Sequence, residues 1–306
     1  MILNREWVNT LKSKTFSERN SPEMKIALIS DIHGNYKALE AFLDYIEQHP
    51  ADAIISLGDY VTDGPYPERT MALLYSMREK YTCYMLRGNR EDYLLNNVGN
   101  KEGWKPSSAN GTLYYTSQHI TEADKAFFAS LPTEREVCLE GFPPLYICHG
   151  TPGRVRGNVH QEEGLKEKVL ADLPYRYLLG GHSHYQEIDI QQGKTYINPG
   201  SLGFAIDGVG RRAQFAILTG NVEGWEAAFE AIPYDVDGYL RDFTESGVDE
   251  IGMTLNKAIK KSLVTGVNYF FYCILAMEAE AKEQGLASMT ELPETAWEKL
   301  AERFGL

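Results

Sequence analysis

Residues 25–35 read KIALISDIHGN, and they indicate the class of fold. The apolar run KIALIS over 25–30 is typical of a buried strand in a parallel sheet. It ends abruptly in the polar sequence DIHGN, and an amphipathic helical pattern follows over Tyr36–Gln48. A buried strand, a polar loop and a helix in this order form the first half of a βαβ unit.

The order of strand, polar loop and helix recurs downstream. Ala53–Leu57 is a predicted strand that leads through GDYVTDG into a helix over Glu68–Lys80, and Tyr81–Leu86 is a third strand that ends in GNRE. Two later apolar runs, Leu145–Cys148 and Tyr177–Leu179, end in HG and GGHSH. Strands that alternate with helices at this spacing predict an α/β fold with a mainly parallel sheet.

The runs Lys194–Ile197 and Ala213–Leu218 alternate with turns, which indicates an antiparallel second sheet. The economical architecture is a four-layer α/β/β/α sandwich, in which two mixed sheets are flanked by helices. After residue 233 the pattern becomes helical, at Val236–Phe243, Ile251–Ser262, Asn268–Glu283 and Glu294–Phe304. We therefore expect a C-terminal helical region that packs on the core or covers part of the site. The expected parts are an N-terminal extension (1–23), an α/β domain (24–232) and the helical region (233–306).

The chain is acidic, with 30 Lys and Arg against 43 Asp and Glu and a formal net charge of −13. Nucleic-acid binding depends on Lys and Arg contacts with phosphates, so a long nucleic acid is not an expected partner. A polybasic stretch for an anionic membrane is also missing from the sequence. The four scattered cysteines and the lack of a signal-peptide pattern predict a cytoplasmic protein with reduced thiols.

Polar residues that can bind metals follow the predicted strands. Ligands of open α/β sheets bind outside the carboxyl ends of the strands, so these side chains should converge. A set of Asp, Asn and His without thiolates suits a divalent metal such as Mn, Fe or Zn. Seven ligands exceed the need of one tetrahedral zinc and suit two metals that share a carboxylate, about 3.5–4 Å apart. The candidate metal ligands are Asp31, His33, Asp59, Asn89, His149, His182 and His184.

The ordered blocks DIH, GD, GN, HG and GHSH resemble the five-block signature of the calcineurin-like metallophosphoesterases, over about residues 24–220. The run Asn198–Ser201 (NPGS) resembles the small bacterial and archaeal phosphodiesterase branch. The resemblance implies a four-layer α/β sandwich and a dinuclear site bridged by Asp59. By this resemblance, one metal is held by Asp31, His33, Asp59 and His184, and the other by Asp59, Asn89, His149 and His182.

Two positions depart from the phosphomonoesterase members of the family. Those members usually have a His after Gly-Asn, which resembles a general acid, and a supporting Asp in the second block; here these positions are Arg90 and Thr62. Arginine stays protonated to about pH 12 and above, so it cannot deliver a proton at neutral pH. We hypothesise that the candidate catalytic residues are Arg90, which binds substrate phosphate, and Asp63, which positions it. The alternative is a structural ion pair of Arg90 with Asp63 or Asp92.

The expected reaction is hydrolysis of a phosphoester by a metal-bound hydroxide. Without an acid to protonate the leaving group, small phosphodiesters and phosphoanhydrides of the nucleotide type are favoured as substrates. A serine/threonine protein phosphatase or general phosphomonoesterase is the nearest alternative, and the missing His counts against it. A non-catalytic protein-interaction scaffold is the alternative of another class, since the retromer subunit with this fold serves mainly as a binding surface. Retention of all seven ligands favours catalysis, and the net charge of −13 disfavours a nuclease acting on long DNA.

Overall fold

The structure is a computed structural model that describes residues 23–96 and 104–306. The expected N-terminal extension lies outside these ranges except for its last residue. In chain order the strands are β1 (Met24–Ile29), β2 (Ala53–Ser56), β3 (Cys83–Met85), β4 (Glu134–Val137), β5 (Leu145–Cys148), β6 (Tyr177–Leu179), β7 (Gln186–Gln191), β8 (Lys194–Pro199), β9 (Arg212–Asn221) and β10 (Gly224–Pro233). The α-helices are α1 (Tyr36–Gln48), α2 (Pro67–Lys80), α3 (Asn89–Asn96), α4 (Gly111–His119), α5 (Glu122–Ser130), α6 (Leu165–Asp172), α7 (Val236–Glu245), α8 (Val248–Thr265), α9 (Tyr269–Glu283) and α10 (Glu294–Phe304).

The strands form two mixed sheets of five strands each. The first sheet has the order β10-β9-β1-β2-β3. Strands β1, β2 and β3 are parallel, and β9 is antiparallel to both of its neighbours, β1 and β10. The second has the order β4-β5-β6-β8-β7, with β5, β6 and β8 parallel and an antiparallel strand at each edge. The parallel strands end at one edge of each sheet, and this edge carries the polar loops. The predicted α/β sandwich of two mixed sheets flanked by helices is confirmed.

Alternate residues of the first sheet pack into two different layers of core. In β1, Ala27 and Ile29 face α1 and α2, whereas Ile26 and Leu28 face the second sheet. These side chains are fully buried, and burial of one aliphatic side chain stabilises the fold by about 1.5–3 kcal/mol. Residue Leu170 of α6 packs on the outer face of the second sheet and completes the fourth layer. Both sheets are therefore fixed rigidly beneath the loops at their carboxyl ends.

One strand assignment from the sequence is wrong. Residues 213–218 were expected in the second sheet, but β9 joins the first sheet, where Ile217 pairs with Ala27 and Leu218 pairs with Ile26. Of the two runs expected to form the second sheet, 194–197 and 213–218, only the first lies there, as part of β8. The physical reason is that β9 is covered on both faces: Phe215 packs in the helix layer and Leu218 between the sheets. An apolar pattern alone does not reveal which sheet a strand joins.

The helices after residue 233 pack on the α/β core instead of standing apart from it. One apolar cluster joins Tyr36 of α1 and Phe204 of the loop after β8 with Tyr239 of α7 and Ile259 of α8. The last helices, α9 and α10, pack on α8 around the fully buried Trp297. In the described ranges, none of the helices has both the length and the apolar character needed to cross a membrane.

Candidate metal centre

The seven candidate ligands follow strands β1, β2, β3, β5 and β6 at the same edge of the sandwich. Five of them have a left-handed backbone, a conformation that costs a non-glycine residue about 1–3 kcal/mol and clusters at functional sites. Backbone hydrogen bonds hold these loops: Asp31 N–H donates to Gly58 O at 3.0 Å and His33 N–H to Asp59 O at 3.0 Å. The left-handed ligands are Asp31 (φ 56°), His33 (φ 48°), Asp59 (φ 56°), His182 (φ 63°) and His184 (φ 62°).

The ligands form two adjacent groups of three side chains. Within each group, one potential ligand atom from every residue lies within 4.8 Å of the others. The groups are Asp31, His33 and His184, and Asp59, His149 and His182. The structure therefore brings six of the seven predicted ligands into two candidate metal sites.

Asp59 lies between the two groups. Its Oδ2 atom is 3.4 Å from His149 Nε2 in its own group and 3.8 Å from His33 Nε2 in the other group. Asn89, the seventh predicted ligand, has its Oδ1 atom 3.2 Å from His149 Nε2. Asp59 is thus the candidate bridging carboxylate, and Asn89 adjoins the second group.

Three histidines have one ring nitrogen held by a backbone or side-chain oxygen and the other directed into the cluster. Metal-binding histidines characteristically have their second nitrogen oriented in this way. The Nδ1 partners are Asp63 Oδ2 for His33 (3.1 Å), Leu57 O for His149 (2.9 Å) and Phe204 O for His184 (2.8 Å). Their Nε2 atoms therefore keep a lone pair for a cation when Nδ1 carries the proton.

The residues present fit divalent cations, and one atom in particular supports this. Asp31 Oδ1 is buried and accepts no hydrogen bond from any described residue, although His33, His149 and His184 have Nε2 atoms within 4.0 Å. Burial alone would raise the pKa of Asp31, but His184 and His33 hold it well below its usual value, so the carboxyl is ionised. His33 Nε2 and His184 Nε2 also face each other at 3.2 Å. An ionised oxygen among converging imidazole nitrogens is the donor set of a transition-metal site.

Asp63 lies beside the first ligand group and holds Arg90. Its carboxylate accepts hydrogen bonds from Thr62 (2.8 Å) and Thr112 (2.9 Å), and it lies 3.1 Å from both Arg90 Nη2 and His33 Nδ1. Burial alone would raise the pKa of Asp63, but the Arg90 charge and the His33 hydrogen bond hold it well below its usual range. Asp63 therefore connects Arg90 to the candidate metal ligand His33.

Of the two ion pairs weighed for Arg90, the structure contains the one with Asp63. Asp92 instead pairs with Arg87, whose Nε lies 2.7 Å from its carboxylate. The Arg90 side chain is 13% exposed, and its backbone N–H donates to Asp59 Oδ1 at 2.8 Å. Arg90 thus adjoins the candidate bridging carboxylate, and the pair with Asp63 leaves further guanidinium donors for a ligand.

Sequence reasoning missed Glu91, which organises two of the ligand loops. This fully buried carboxylate accepts backbone hydrogen bonds from Asp59 (2.9 Å), Tyr60 (2.8 Å) and Gly88 (2.8 Å). Burial raises the pKa of Glu91, and the charge of Asp59 raises it further. A signal was present, because an acidic residue in the first turn of a helix can reach back to the preceding backbone N–H, as Glu91 does to Gly88.

The segment Asn198–Ser201 donates hydrogen bonds to two of the loops that carry candidate ligands. Asn198 Nδ2 donates to Gly181 O and to Ser183 Oγ, both at 2.9 Å, and these residues flank His182. Ser201 Oγ donates to Asp31 O at 2.7 Å. The motif that resembled the phosphodiesterase branch thus fixes ligand loops and contributes no candidate ligand of its own.

Comparison with known proteins agrees with this geometry. Residues 24–222 match the calcineurin-like phosphoesterase superfamily domain. The uncharacterized protein MJ0912 of Methanocaldococcus jannaschii is 29% identical over 233 residues, which cover 69% of this chain and 88% of that protein. A Caenorhabditis elegans protein named as a serine/threonine-protein phosphatase is 35% identical over 78 residues, 25% of this chain, and the chain spans 21% of its length.

The fold is also similar to that of a metallophosphoesterase from Sphaerobacter thermophilus. The TM-score is 0.62 at 23% identity, and the alignment covers 80% of this chain and all of that one. This is a superfamily of phosphoesterases, and the two ligand groups described above, which could hold two metal ions, lie within the matched residues. The chain therefore belongs to the calcineurin-like phosphoesterase superfamily.

Proposed function

We propose that this protein hydrolyses small phosphodiesters or phosphoanhydrides of the nucleotide type, using two divalent metal ions. One observation carries the proposal: Asp59 lies between two Asp/His groups, and Arg90, held by Asp63, stands directly beside it. A metal pair with a fixed guanidinium suits a phosphoryl group, whose oxygens need positive charge from several directions.

Asp31, His33, Asp59 and His184 would hold one cation, and Asp59, Asn89, His149 and His182 the other. The bound ions supply an activated water and neutralise charge on the phosphate oxygens. Mn, Fe and Zn all suit this donor set, so the identity of the ions is part of the experiment.

In this proposal Arg90 binds and orients the phosphate. Its planar guanidinium can donate two parallel hydrogen bonds to phosphate oxygens while Asp63 keeps the group pointed at the cluster. Arg90 cannot protonate a leaving group, because it remains charged at neutral pH. Substrates whose leaving groups are already stable anions are therefore favoured over simple alkyl monoesters.

A serine/threonine phosphatase or general phosphomonoesterase is the second candidate, favoured by the short similarity to the C. elegans protein. The side chains at positions 62 and 90 count against it, since Thr62 and Arg90 replace the Asp and His of the expected acid pair. A non-catalytic scaffold is the third. We place the protein in the cytoplasm, which suits four cysteines that are all free.

Metal analysis of the purified chain tests the dinuclear centre. We expect two transition-metal equivalents for the wild type and loss of metal in Asp59→Asn, because a neutral amide bridges two cations poorly. Asp44→Asn, a change at an exposed position of α1, is the matched control and should keep both equivalents. Unchanged metal content in Asp59→Asn would remove the proposed bridge, and metal content near zero in the wild type without activity would favour the scaffold.

A panel of alkyl monoesters, diesters and dinucleoside polyphosphates tests the choice of substrate. We expect diesters or anhydrides to give the highest kcat/KM, and Arg90→Ala to lower it by about 10²- to 10³-fold, the usual effect of losing one group that stabilises transition-state charge. Arg78→Ala removes one exposed charge near the end of α2 and should leave the rates unchanged. Fastest hydrolysis of a simple alkyl monoester would contradict the proposal.

A further inference from the structure

The turn between α8 and α9 packs on the loop that follows β8, next to the metal centre. Gly208 N–H donates to Gly266 O at 2.9 Å, and Arg211 N–H donates to Leu263 O at 2.8 Å. The two backbones approach so closely that a Cβ atom on Gly266 would lie 2.4 Å from Gly210 N. The turn is therefore held against this loop by main-chain contacts, although it lies beyond the residues that match the superfamily domain.

This turn brings Phe270, in the first turn of α9, to the mouth of the site. The Phe270 ring packs edge-on against Phe204 with centroids 5.9 Å apart, and Arg90 Cζ lies 5.5 Å from its centre. Phe204 in turn contacts the candidate ligands His33 and His184, at 6.1 Å and 5.7 Å between ring centroids. Phe270 is thus separated from the metal ligands by one side chain and contacts the proposed phosphate-binding arginine directly.

Further aromatic rings surround the same opening. Tyr93 of α3 contacts Arg90 at 5.9 Å and Arg156 at 5.7 Å, measured from each Cζ to the ring centre. Tyr185, next to the candidate ligand His184, is 36% exposed. Three aromatic side chains from three parts of the chain, Tyr93, Tyr185 and Phe270, therefore lie beside the candidate centre.

These three rings are accessible to solvent, since Tyr185 is 36% exposed and Tyr93 and Phe270 are half-buried. Core aromatic rings of this protein, such as Tyr115, Tyr196 and Tyr239, are at most 2% exposed. Accessible aromatic rings beside cationic arginines, as Tyr93 and Phe270 are, bind planar rings well, because stacking and cation–π contacts act together. An alkyl chain would gain only the apolar contact. The surroundings of the site thus favour a flat group attached to the phosphate.

We propose that Phe270 of α9, with Tyr93 and Tyr185, binds the planar ring of the substrate, such as a nucleobase, while Arg90 and the metal centre bind its phosphate. This inference rests on the proposed function and gives the helical region a part in the choice of substrate. Phe270 determines specificity, because it contacts the part of the substrate that does not react.

The test compares adenosine 5′-monophosphate with ribose 5-phosphate, which share the sugar phosphate and differ in the base. Isothermal titration calorimetry on the metal-loaded chain measures binding without turnover. We expect the wild type to bind the adenosine compound about tenfold tighter or more, the scale of one stacked base. Equal affinity for the two compounds would overturn the proposal.

Two variants locate the effect. Phe270→Leu keeps an apolar side chain of similar volume, and Tyr185→Leu changes an exposed position, so both should fold, as a thermal melt will verify. Each should lower the affinity ratio of the two compounds several-fold, whereas Phe229→Leu, at a 37% exposed aromatic position on the edge strand β10, should leave it unchanged. An unchanged ratio in both the Phe270 and the Tyr185 variant would refute the assignment.

The result is separable from the proposed function. Hydrolysis of diesters without base preference would leave the proposed function standing and overturn the aromatic site. Base preference that the Phe270 and Tyr185 variants abolish, in a chain that hydrolyses no phosphoester, would support the aromatic site and contradict the proposed function.

Discussion

At the scale of single residues, Glu91 shows how a side chain outside the ligand set can control the site. Its carboxylate receives the backbone N–H groups of Asp59, Tyr60 and Gly88, so it ties the loop after β2 to the start of α3. Asp59 and Asn89 sit on these two segments. Their separation therefore depends on a buried acid that binds neither the proposed metal nor the phosphate.

Glu91→Gln preserves size but replaces one acceptor oxygen by an NH₂ group that faces backbone donors. We expect the free energy of unfolding to fall by about 1–3 kcal/mol, the usual result of unsatisfied buried polar groups. We also expect weaker metal binding, because the loops that carry Asp59 and Asn89 lose their common acceptor. Urea denaturation and metal titration measure the two effects.

Glu122→Gln is the control for this change, since Glu122 is 90% exposed and pairs with Lys125 at the surface. It should behave as the wild type in both measurements. If Glu91→Gln also retained wild-type stability and metal affinity, the role assigned to this residue would be wrong.

The sequence was most informative at residues whose type is unusual at a strand end. Asp, Asn and His at the ends of apolar runs predicted the convergence of the seven ligands, because the carboxyl ends of parallel strands share one edge. Phe204 and Phe270 gave no such signal, since an aromatic residue near the site looks like one in the core. Whether Arg90 contacts phosphate remains a prediction.

At the scale of elements, the contact between α4 and α8 links the C-terminal helices to Asp63. Helix α8 is interrupted at Met253, which has φ 46° and ψ −122°, and Ile251 O accepts the N–H of Ser107 at 3.0 Å. A Cβ atom on Gly111 would lie 1.9 Å from Ile251 O. The next residue, Thr112, donates a hydrogen bond to the Asp63 carboxylate at 2.9 Å. Because Asp63 also pairs with Arg90, a shift of α4 would disturb the position of Arg90.

Gly111→Ala should therefore force α4 and α8 apart. We expect a loss of about 1–3 kcal/mol in the free energy of unfolding, the usual cost of overpacking, and a lower kcat/KM through Thr112. Thermal unfolding and a diester assay measure these effects. Gln118→Ala, at an exposed position of the same helix, serves as control. Equal melting temperatures for Gly111→Ala and the wild type would show that the contact relaxes without cost.

The bounds of a helix or strand were predictable where the sequence showed a clear hydrophobic period with polar or turn residues at both ends. Helices α1 and α10 have the predicted bounds, as do strands β5 and β6. No strand is predicted from the sequence at β4, β7 or β10, which are edge strands with many exposed residues and a weak apolar pattern. Pairing partners were harder still, because β9 joins a strand almost two hundred residues earlier in the chain.

At the scale of the whole molecule, the division at residue 233 crosses a shared core. Tyr36 and Phe204 pack with Tyr239, Phe243 and Ile259 in a single buried cluster. The expected domain 24–232 and the helical region 233–306 therefore have a common apolar interface.

A chain ending at Pro233 would expose this cluster to water. We expect it to aggregate, or to unfold without a cooperative transition, because the large aromatic side chains would lose their cover. Calorimetry and size-exclusion chromatography of the truncated chain test this. A sharp transition from a monomeric fragment would show that residues 24–232 fold alone.

The net charge of the chain and the local charge at the candidate metal centre have different consequences for ligand binding. The net value of −13 still disfavours a long polyanion. Two of the acidic residues, Asp31 and Asp59, are candidate ligands, however, and bound cations together with Arg90 would reverse the sign of the field where a phosphate would lie. Composition could therefore exclude a class of partner but could not describe the local field.

The separation of the metal ligands from the turn between α8 and α9 has an evolutionary consequence. All seven candidate ligands lie before residue 185, whereas Phe270 lies in α9, more than 80 positions later. On the proposed assignment, substitutions in α9 would alter which ester is accepted without touching the candidate metal ligands. Natural selection, or a protein engineer, could then diversify substrate preference in one segment while the chemistry is inherited unchanged in another.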